Sequence, residues 1–280
     1  MQKVTIIHQS RLSNAPSIAE ALADVVTQHG AKAIVYSTWN ELLGDDVTDK
    51  TDLAITVGGD GTLLRMARIM AVQNVPVIGV NMGRIGFTTE LSAEEAVEKL
   101  PLFLEGQGWI EERTMLSATM GDYSGNALNE VVISRNGPAR IVHCVIRIND
   151  QIITSYRGDG ALIASATGST GYSLSNGGPV LEPESTAIIV KPINPHVSLN
   201  TPLIVDDDAT INVHVLTDHG ATLTLDGNED ENLMTDSDIY IKRSNLKARF
   251  LRLRSKDYFY TVAANLLSRA VPVPTNTNNP

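Results

Sequence analysis

The segment LAITVGGDGTLLRMARIM, residues 53–70, constrains the fold more than any other part of the sequence. It begins with a nearly all-apolar run, as expected for a strand that is buried on both faces of a parallel sheet. Three glycines, Gly58, Gly59 and Gly61, then surround Asp60, and a helical pattern follows. A strand, a glycine loop and a helix in this order predict a ligand-binding loop at the carboxyl edge of an α/β sheet.

Strand and helix signals alternate through the first hundred residues. The predicted strands are VTIIH, AKAIVYS, DLAITV and VPVIGVN, and the predicted helices are PSIAEALADVVTQHG, TLLRMARIMAV and SAEEAVEKLPLFL. The third helix opens with a capping box, Ser92 and Glu95, and we expect Pro101 to interrupt or end it. This alternation predicts a domain over residues 1–104 in which helices cover a parallel sheet.

The pattern then changes to short β runs separated by turn residues, such as the pair Asn149-Asp150. We interpret residues 105–256 as a β domain built from hairpins. A helical pattern follows at residues 257–270, and we expect this helix to pack back on the N-terminal domain. Residues 271–280 are polar and rich in proline, which predicts a disordered tail.

Composition excludes several classes of function. Hydrophobic residues make up 42% of the 280-residue chain, which is ordinary for a globular protein with a real core. The net charge of −10 argues against a nucleic-acid partner, and no apolar run is long enough to predict a membrane span or a signal peptide. The single cysteine, Cys144, fits a small core residue of a cytoplasmic protein, and the scattered histidines predict no metal site in the protein itself.

The glycine loop around Asp60 suits a phosphate group, because glycines expose backbone N–H groups and a helix N-terminus adds partial positive charge. A carboxylate would repel phosphate, so Asp60 needs another partner, and a substrate hydroxyl fits. Such a carboxylate orients the hydroxyl and accepts its proton during phosphoryl transfer. The alternative is a tight turn in which Asp60 caps the helix. Neither the P-loop pattern nor G-x-G-x-x-G matches, since Leu64 stands where the third glycine would be.

A second glycine-rich segment, GDGALIASATGSTGYSLSNGGPVLEP, spans residues 158–183. A short helix that opens at Thr170 and ends at Gly177 would offer hydrogen bonds to phosphates, ribose and a base edge. The alternative is a long hairpin loop rich in turn residues. Ser173 does not lie in a G-x-S-x-G nucleophile elbow.

Five motifs occur in an order that resembles a known family. They are GGDGT, LNE (residues 128–130), DG (159–160), TGSTGYSLSNGGP and DG (226–227). The segment GVNMGRIGFTTEL, residues 79–91, is similar to another family segment. Together they resemble the NAD kinases, enzymes that phosphorylate NAD to NADP. The GGDG motif alone is shared with lipid kinases and phosphofructokinases, so the combination with TGSTGYSLSNGGP carries the resemblance.

The resemblance implies roles for individual residues. Asp60 matches the family's proton acceptor, whose substrate is the adenosine ribose 2′-hydroxyl of NAD, and Gly61 matches the adjacent backbone contact. Asn129 and Glu130 match a pair that reads a base edge and accepts hydrogen bonds from ribose hydroxyls. Asp159 matches a contact to the nicotinamide end of the dinucleotide.

Three arginines are further candidates. Arg65, one helical turn after Asp60, either balances phosphate charge or is a solvated helix residue. Arg157 stands where related enzymes carry an arginine associated with preference for NAD over NADH, and Arg140 lies at another contact position. The remaining candidate binding residues are Thr170, Gly171, Tyr172, Ser173, Leu174, Ser175 and Asn228. Two of these depart from the family pattern, since Gly171 replaces an alanine and Asn228 replaces a longer glutamine.

The fold implied by the resemblance is α/β plus all-β, with a Rossmann-like N-terminal parallel-sheet domain, a C-terminal β-sandwich domain and NAD bound between them. The resemblance also implies ATP as the γ-phosphoryl donor, Mg²⁺ entering with ATP, and a homodimer or homotetramer. Two alternatives stay open. A diacylglycerol-type lipid kinase would need an apolar cleft for acyl chains, and a non-catalytic dinucleotide sensor would not need Asp60.

Overall fold

The structure is a computed structural model. It describes residues 1–37, 49–83, 86–137, 140–196, 200–227 and 229–268. Asn228 and the tail predicted at residues 271–280 lie outside the described residues.

Four parallel strands form the N-terminal part of a large sheet, in the spatial order β4-β3-β1-β2. They are β1 (Lys3–His8), β2 (Lys32–Ser37), β3 (Leu53–Gly58) and β4 (Val77–Asn81), and a two-residue strand, β5 (Leu91–Ser92), pairs with β4. Every residue of β3 and β4 is buried. The prediction that these apolar runs are covered on both faces is therefore confirmed.

In the part of the chain that the structure describes, three helices cover this sheet: α1 (Ala15–Gln28), α2 (Asp60–Ala71) and α3 (Ala93–Leu104). Apolar residues of α1 and α3 share one core with the sheet, and those of α2 belong to another. The capping box of α3 is confirmed, because the Glu95 N–H donates to Ser92 Oγ and the Ser92 N–H donates to the Glu95 carboxylate.

The prediction that Pro101 interrupts or ends α3 is wrong, since the helix continues to Leu104. Leu100 and Phe103, on either side of the proline, are fully buried, and their packing holds the last turn in place. The carbonyl that loses its helical donor is that of Val97, a residue that is 38% exposed.

Two antiparallel layers form the β-sandwich predicted for the C-terminal part. Their strands are β6 (Trp109–Met120), β7 (Tyr123–Ala127), β8 (Glu130–Arg135), β9 (Val142–Ile148), β10 (Gln151–Gly158), β11 (Gly160–Ala164), β12 (Ile188–Ile193), β13 (Leu203–Val205), β14 (Ile211–Leu216), β15 (Ala221–Leu225), β16 (Glu229–Leu233) and β17 (Ser237–Arg252). The first layer is a separate six-stranded sheet with the order β13-β12-β11-β8-β15-β16. The second layer contains β10, β9, β14, β17, β6 and β7, and one apolar core fills the space between the layers.

Cys144 belongs to the sandwich core, as predicted. Burial raises the pKa of its thiol to about 12, so it stays protonated and unreactive at neutral pH.

Strand β17 joins the two parts of the chain. It pairs with β14 and β6 in the sandwich, and its Phe250 pairs with Val77 of β4. The parallel sheet and one layer of the sandwich therefore form a single eleven-stranded sheet. The domain boundary predicted at residues 104 and 105 falls between α3 and β6 and stays a prediction.

The predicted hairpin turns are present. Asn149 and Asp150 have φ of 48° and 65°, and Asp226 and Gly227 have φ of 51° and 69°. Two successive residues with positive φ produce the turn whose twist matches that of the flanking strands. The second of these turns also carries a residue of the candidate site.

The last helix, α5 (Tyr258–Ser268), contacts both parts of the chain. The Phe259 ring lies 6.2 Å from that of Phe87, and Tyr260 Oη donates to Glu182 Oε1 at 2.5 Å. Among the described residues, no helix is long and apolar enough to cross a membrane.

Replacing Pro101 by alanine should raise the free energy of unfolding by about 2 kcal/mol. A proline inside a helix costs about 3 kcal/mol of stability, which the substitution recovers. Without the proline the unfolded chain has more conformational entropy, and this offsets about 1 kcal/mol of the recovered stability. The matched control is Pro16→Ala, because Pro16 lies in the first turn of α1, where a proline is tolerated. Urea unfolding of both variants tests this, and a loss of stability in Pro101→Ala would contradict it.

Candidate active site

Asp60 lies where the sequence predicts, as the first residue of α2 directly after β3. The residue that caps the helix is Gly59, so the alternative that Asp60 caps it is wrong. The carboxylate oxygen Oδ1 is buried and has no hydrogen-bond partner among the described residues. Gly86 lies directly against this carboxylate, since a Cβ at that position would come within 2.4 Å of Asp60 Oδ2.

The segment that brings Gly86 to Asp60 is held by a threonine. Thr89 Oγ1 accepts from the Gly86 N–H at 3.2 Å and from Asn81 Nδ2 at 3.1 Å. Asn81 ends β4, the strand next to β3, so the carboxyl ends of two neighbouring strands shape this part of the site. This arrangement agrees with the rule that ligands bind outside the carboxyl ends of parallel strands.

The second glycine-rich segment forms a 3₁₀ turn (Thr167–Thr170) followed by a short helix, α4 (Tyr172–Ser175). Gly177, with φ of 80°, follows the helix, as predicted. Helical structure begins three residues before the predicted Thr170. The alternative, a long hairpin loop, also describes the segment, since it connects β11 (Gly160–Ala164) to β12 (Ile188–Ile193), which pair antiparallel, and the two helical turns lie within this loop.

Asn129 and Glu130 pack against this segment. A Cβ at Gly171 would lie 3.1 Å from Glu130 Oε2 and 3.3 Å from Asn129 Nδ2, so the glycine packs closely against both polar groups. Asn129 Oδ1 and Glu130 Oε2 are buried and have no hydrogen-bond partner among the described residues. Buried polar atoms are nearly always paired, so two unpaired ones on adjacent residues make Asn129 and Glu130 candidates for contact with a polar ligand.

Asp226 fixes the backbone of the LNE motif. Its carboxylate accepts hydrogen bonds from the N–H groups of Leu128, Asn129 and Glu130 at 2.8, 2.7 and 3.0 Å. Burial raises the pKa of Asp226, while the three N–H groups and Arg68 oppose this effect.

Arg68 connects this turn to the helix that begins at Asp60. Its Nη1 lies 3.6 Å from Asp226 Oδ2 and donates to the Leu225 carbonyl at 3.3 Å. Helix α2 therefore contacts the turn that holds Asn129 and Glu130. The structure thus links the glycine loop of the parallel sheet to the LNE motif of the sandwich.

The carboxyl group of Glu130 has an unusual electrostatic environment. Burial and the neighbouring Asp226 raise its pKa to about 7, although the Tyr172 N–H favours the ionised form. Glu130 therefore changes protonation state near neutral pH.

Asp159 is held by two side chains. Asn194 Nδ2 donates to it at 2.9 Å and Arg135 Nε at 2.5 Å. These two contacts lower the pKa of Asp159, the bond from Asn194 being the larger cause. Asn194 itself has φ of 42°, a conformation that asparagine tolerates better than most residues.

Arg140 and Arg157 line a groove of about 490 Å³ on the sandwich, together with His143, Thr217 and His219. None of the other described candidate residues lines this groove. The structure thus brings these two arginines together but in a cavity different from the surroundings of Asp60.

The remaining candidates differ in their exposure. Gly61 and Ser175 are exposed, and Tyr172 is 43% exposed. Ser173 Oγ is buried without a partner among the described residues. Thr170, Gly171, Leu174 and, on α2, Arg65 are half-buried.

Sequence reasoning missed three residues that build the site: Gly86, Arg68 and Asp226. The motif DG at residues 226–227 and the segment GVNMGRIGFTTEL were signals for two of them. Nothing in the sequence pairs Arg68 with the distant Asp226.

Comparison with known proteins identifies the family. Sequence models of the N-terminal and C-terminal domains of ATP-NAD kinase match residues 4–108 and 128–253. The chain belongs to the ATP-NAD kinase family. Its activity is that of an NAD kinase, the ATP-dependent phosphorylation of NAD, as the sequence motifs imply.

Relatives and solved structures agree with this assignment. NAD kinases of Dehalococcoides mccartyi and Methanothermobacter thermautotrophicus are 37% and 33% identical, over 92% and 97% of this chain and 93% and 98% of their own. An NAD kinase from Archaeoglobus fulgidus in complex with ATP has a TM-score of 0.78 at 25% identity, with 97% of this chain and all of that chain covered. Yeast NADH kinase complexed with NADH, 22% identical, shares the fold with a TM-score of 0.83 over all of this chain and 89% of its own.

The two alternative functions are therefore set aside. The ATP-NAD kinase models match both parts of the chain, including the segment TGSTGYSLSNGGP, which decides against a diacylglycerol-type kinase. Membership of an enzyme family decides against a non-catalytic sensor.

Replacing Glu130 by glutamine should stabilise the folded protein at pH 8 by about 2–3 kcal/mol relative to wild type. The raised pKa means that the contribution of Glu130 to stability is fully present below pH 4.5 and is lost as the pH rises through about 7. The neutral amide does not suffer this loss, so the difference between the two proteins should disappear near pH 4.5.

The control for this prediction is Asp159→Asn, which should show the opposite sign. The pKa of Asp159 is lowered from its ordinary value of 3.8, so its contribution is fully present above that pH and is lost only below it. Asp159→Asn should therefore be destabilised throughout the range from pH 4.5 to pH 8. Chemical unfolding of both variants between pH 4.5 and pH 8 checks the signs. An unchanged stability of Glu130→Gln across this range would show that Glu130 has an ordinary pKa.

Proposed function

We propose that this chain transfers the γ-phosphoryl group of ATP to the adenosine ribose 2′-hydroxyl of NAD, with Asp60 as the proton acceptor. The 2′-oxygen attacks the γ-phosphorus while the bond from that phosphorus to the β,γ-bridging oxygen breaks. The hydroxyl proton passes to the Asp60 carboxylate, and the products are NADP and ADP. The proton leaves Asp60 for water after the products have departed.

The observation that carries this proposal is the unpartnered carboxylate of Asp60. Its Oδ1 is buried and unpaired among the described residues, between the start of α2 and the backbone of Gly86. A carboxylate held in this way can accept a hydrogen bond from a substrate hydroxyl without first giving up another partner. It is too weak a base to remove the proton from a free alcohol, so it acts as the phosphoryl group moves.

The phosphates of the substrates are best placed at the start of α2. Gly61 is exposed there, and the first N–H groups of this twelve-residue helix have no partner within the helix. The helix dipole adds partial positive charge, and Arg65 lies one turn further along the same helix. We assign to Arg65 the role of balancing phosphate charge.

Magnesium would enter with ATP, bound to phosphate oxygens, where it neutralises charge on the transferred group. The described part of the chain contains no cluster of three metal-ligating side chains. The contribution of the chain is the positioning of the phosphates by α2.

Asn129 and Glu130 are assigned to the nucleoside part of NAD. Their buried, unpaired oxygens can accept hydrogen bonds from a base amino group and from ribose hydroxyls. The segment Thr170–Ser175 lies beside them through Gly171 and completes the binding surface. Asn228, the last candidate, follows the Asp226-Gly227 turn in sequence.

We assign Asp159 to the nicotinamide end of the dinucleotide, where its lowered pKa keeps it ionised. The positive charge of the oxidised nicotinamide ring, absent from NADH, would favour such a carboxylate. Arg157, whose backbone carbonyl accepts from the His196 N–H, and Arg140 are assigned to the same end, through the groove that they share.

We further propose a cytoplasmic homodimer or homotetramer without nucleic-acid or membrane partners. Two sheet edges, β10 and β13, carry exposed apolar side chains: Ile152, Ile153, Leu203 and Ile204 are 40–63% exposed. Exposed apolar edge strands attract further strands, and a second copy of the chain would cover them. The lone buried Cys144 suits a reducing compartment, and the net charge of −10 disfavours nucleic acid.

Replacing Asp60 by asparagine should lower kcat about 10²–10⁴-fold, because an amide cannot accept the proton. The affinity for NAD should change little. Enzymatic detection of NADP and calorimetric NAD binding measure the two quantities. The matched control is Asp24→Asn, an exposed aspartate of α1, which should keep full activity. Near-normal turnover by Asp60→Asn would remove Asp60 from the proposed role.

The double variant Ile152→Lys, Ile153→Lys should lower the mass measured by light scattering toward the 30.2 kDa of one chain, because charge on an edge strand opposes pairing. Val72→Lys is the control, since Val72 is 66% exposed on the N-terminal part of the chain. A wild-type protein that already has the mass of one chain would refute the oligomer.

A further inference from the structure

Four charged side chains lie buried between the parallel sheet and the sandwich. Glu90 precedes β5, Glu111 and Arg113 lie on β6, and Arg252 ends β17, and each is at most 8% exposed. Two positive and two negative groups balance one another, as burial requires. We call these four residues the charge cluster.

Glu111 is the centre of the charge cluster. Its Oε1 accepts from Arg113 Nε at 2.6 Å and from Arg252 Nη2 at 2.9 Å. Both guanidinium groups also lie over the ring of Phe250, at 5.5 and 5.0 Å from its centroid. Burial lowers the pKa of Arg113 to about 10, so it stays charged at neutral pH. The orientation of each arginine is therefore fixed by several contacts.

One end of the charge cluster holds the segment that covers Asp60. Arg252 Nη1 donates to the Thr88 carbonyl at 2.8 Å, and Glu90 accepts from the Leu253 N–H at 2.9 Å. Thr88 lies two residues after Gly86, whose backbone rests on the Asp60 carboxylate.

The other end reaches the 3₁₀ turn of the second glycine-rich segment. Arg113 Nη1 donates to Thr167 Oγ1 at 3.3 Å, and Thr167 is the first residue of that turn. The next residue, Gly168, rests on the backbone of Asn129, because a Cβ there would come within 2.1 Å of the Asn129 carbonyl oxygen. Gly171, at the end of the turn, rests on Glu130.

We propose that Arg113 is a positioning residue for NAD binding. By holding Thr167, it seats the glycine turn on Asn129 and Glu130, while the same charge cluster fixes the segment over Asp60. Arg113 touches neither Asn129 nor Glu130 through any hydrogen bond seen in the described structure and acts through the turn. This inference rests on the roles proposed above for Asn129 and Glu130.

The test removes the Arg113–Thr167 hydrogen bond from either side. Thr167→Val deletes the acceptor, and Arg113→Lys keeps the charge beside Glu111 but loses the forked donor. Each variant should raise the KM for NAD about 10-fold, as loss of one hydrogen bond to a charged group does, with kcat within about twofold and an unchanged KM for ATP. Thr167→Ser keeps the hydroxyl and should restore the wild-type KM.

Two controls separate positioning from general stability. Lys247→Met breaks an exposed ion pair with Glu112 across the same two strands and should leave the KM for NAD unchanged. The double variant Arg113→Lys, Thr167→Val should resemble the single variants, because both remove the same contact. Thermal unfolding of every variant identifies a loss of fold. If Thr167→Val does not fold, the KM of Arg113→Lys for NAD decides the test, with Thr167→Ser as the variant that should keep the wild-type KM.

An unchanged KM for NAD in folded Thr167→Val and Arg113→Lys, or multiplied effects in the double variant, would overturn the positioning role. That outcome would leave the proposed function intact as long as Asp60→Asn is inactive. An active Asp60→Asn protein would instead refute the proposed function, whatever the Thr167 variants do.

Discussion

The carboxylate of Asp226 is the contact on which the candidate site depends. It accepts hydrogen bonds from the backbone N–H groups of Leu128, Asn129 and Glu130. It also forms an ion pair with Arg68, on the helix that starts at Asp60. A buried acid that satisfies three donors fixes the backbone more firmly than any single side-chain contact would. The glycine loop at Asp60 and the Asn129-Glu130 pair, to which we assign the substrates, thus share one support, although they belong to a parallel sheet and a β-sandwich.

Within the described structure, buried polar atoms without a hydrogen-bond partner lie at the residues to which we assign the substrates. Asp60, Asn129, Glu130 and Ser173 each have a buried oxygen without a hydrogen-bond partner among the described residues. Each such oxygen lowers the stability of the free protein, and a bound dinucleotide can supply the missing donors. Three glycines, Gly86, Gly171 and Gly178, lie directly against these polar groups, where a Cβ would come within 2.2–3.1 Å of them. The free protein therefore carries unpaired polar groups at positions where a polar ligand could pair them.

Local patterns in the sequence were enough to predict the elements but not the contacts between distant ones. The buried strand before Asp60, the capping box of Ser92 and the Asn149-Asp150 turn follow from short-range chemistry, and all are confirmed. Pro101 was the exception, because buried neighbours override a local preference. Arg68 contacts Asp226, 158 positions away, and Arg113 contacts Thr167, 54 positions away. Hydrophobic periodicity and turn signals in the sequence cannot predict contacts between residues so far apart. The assignments of Asn129 and Glu130 needed the family resemblance, since an isolated Asn-Glu pair looks like surface polarity.

The central claim is that the Asp60 carboxylate is kept free for the substrate hydroxyl. A crystal structure of the Asp60→Asn protein with NAD, ATP and Mg²⁺ tests it most directly, because the variant should bind the substrates and turn them over far more slowly than the wild type. We expect the adenosine ribose 2′-oxygen within about 2.6–3.2 Å of the substituted side chain at position 60, in line with the γ-phosphorus. A ribose whose 2′-oxygen points elsewhere, with the side chain at position 60 turned to another protein group, would contradict the account.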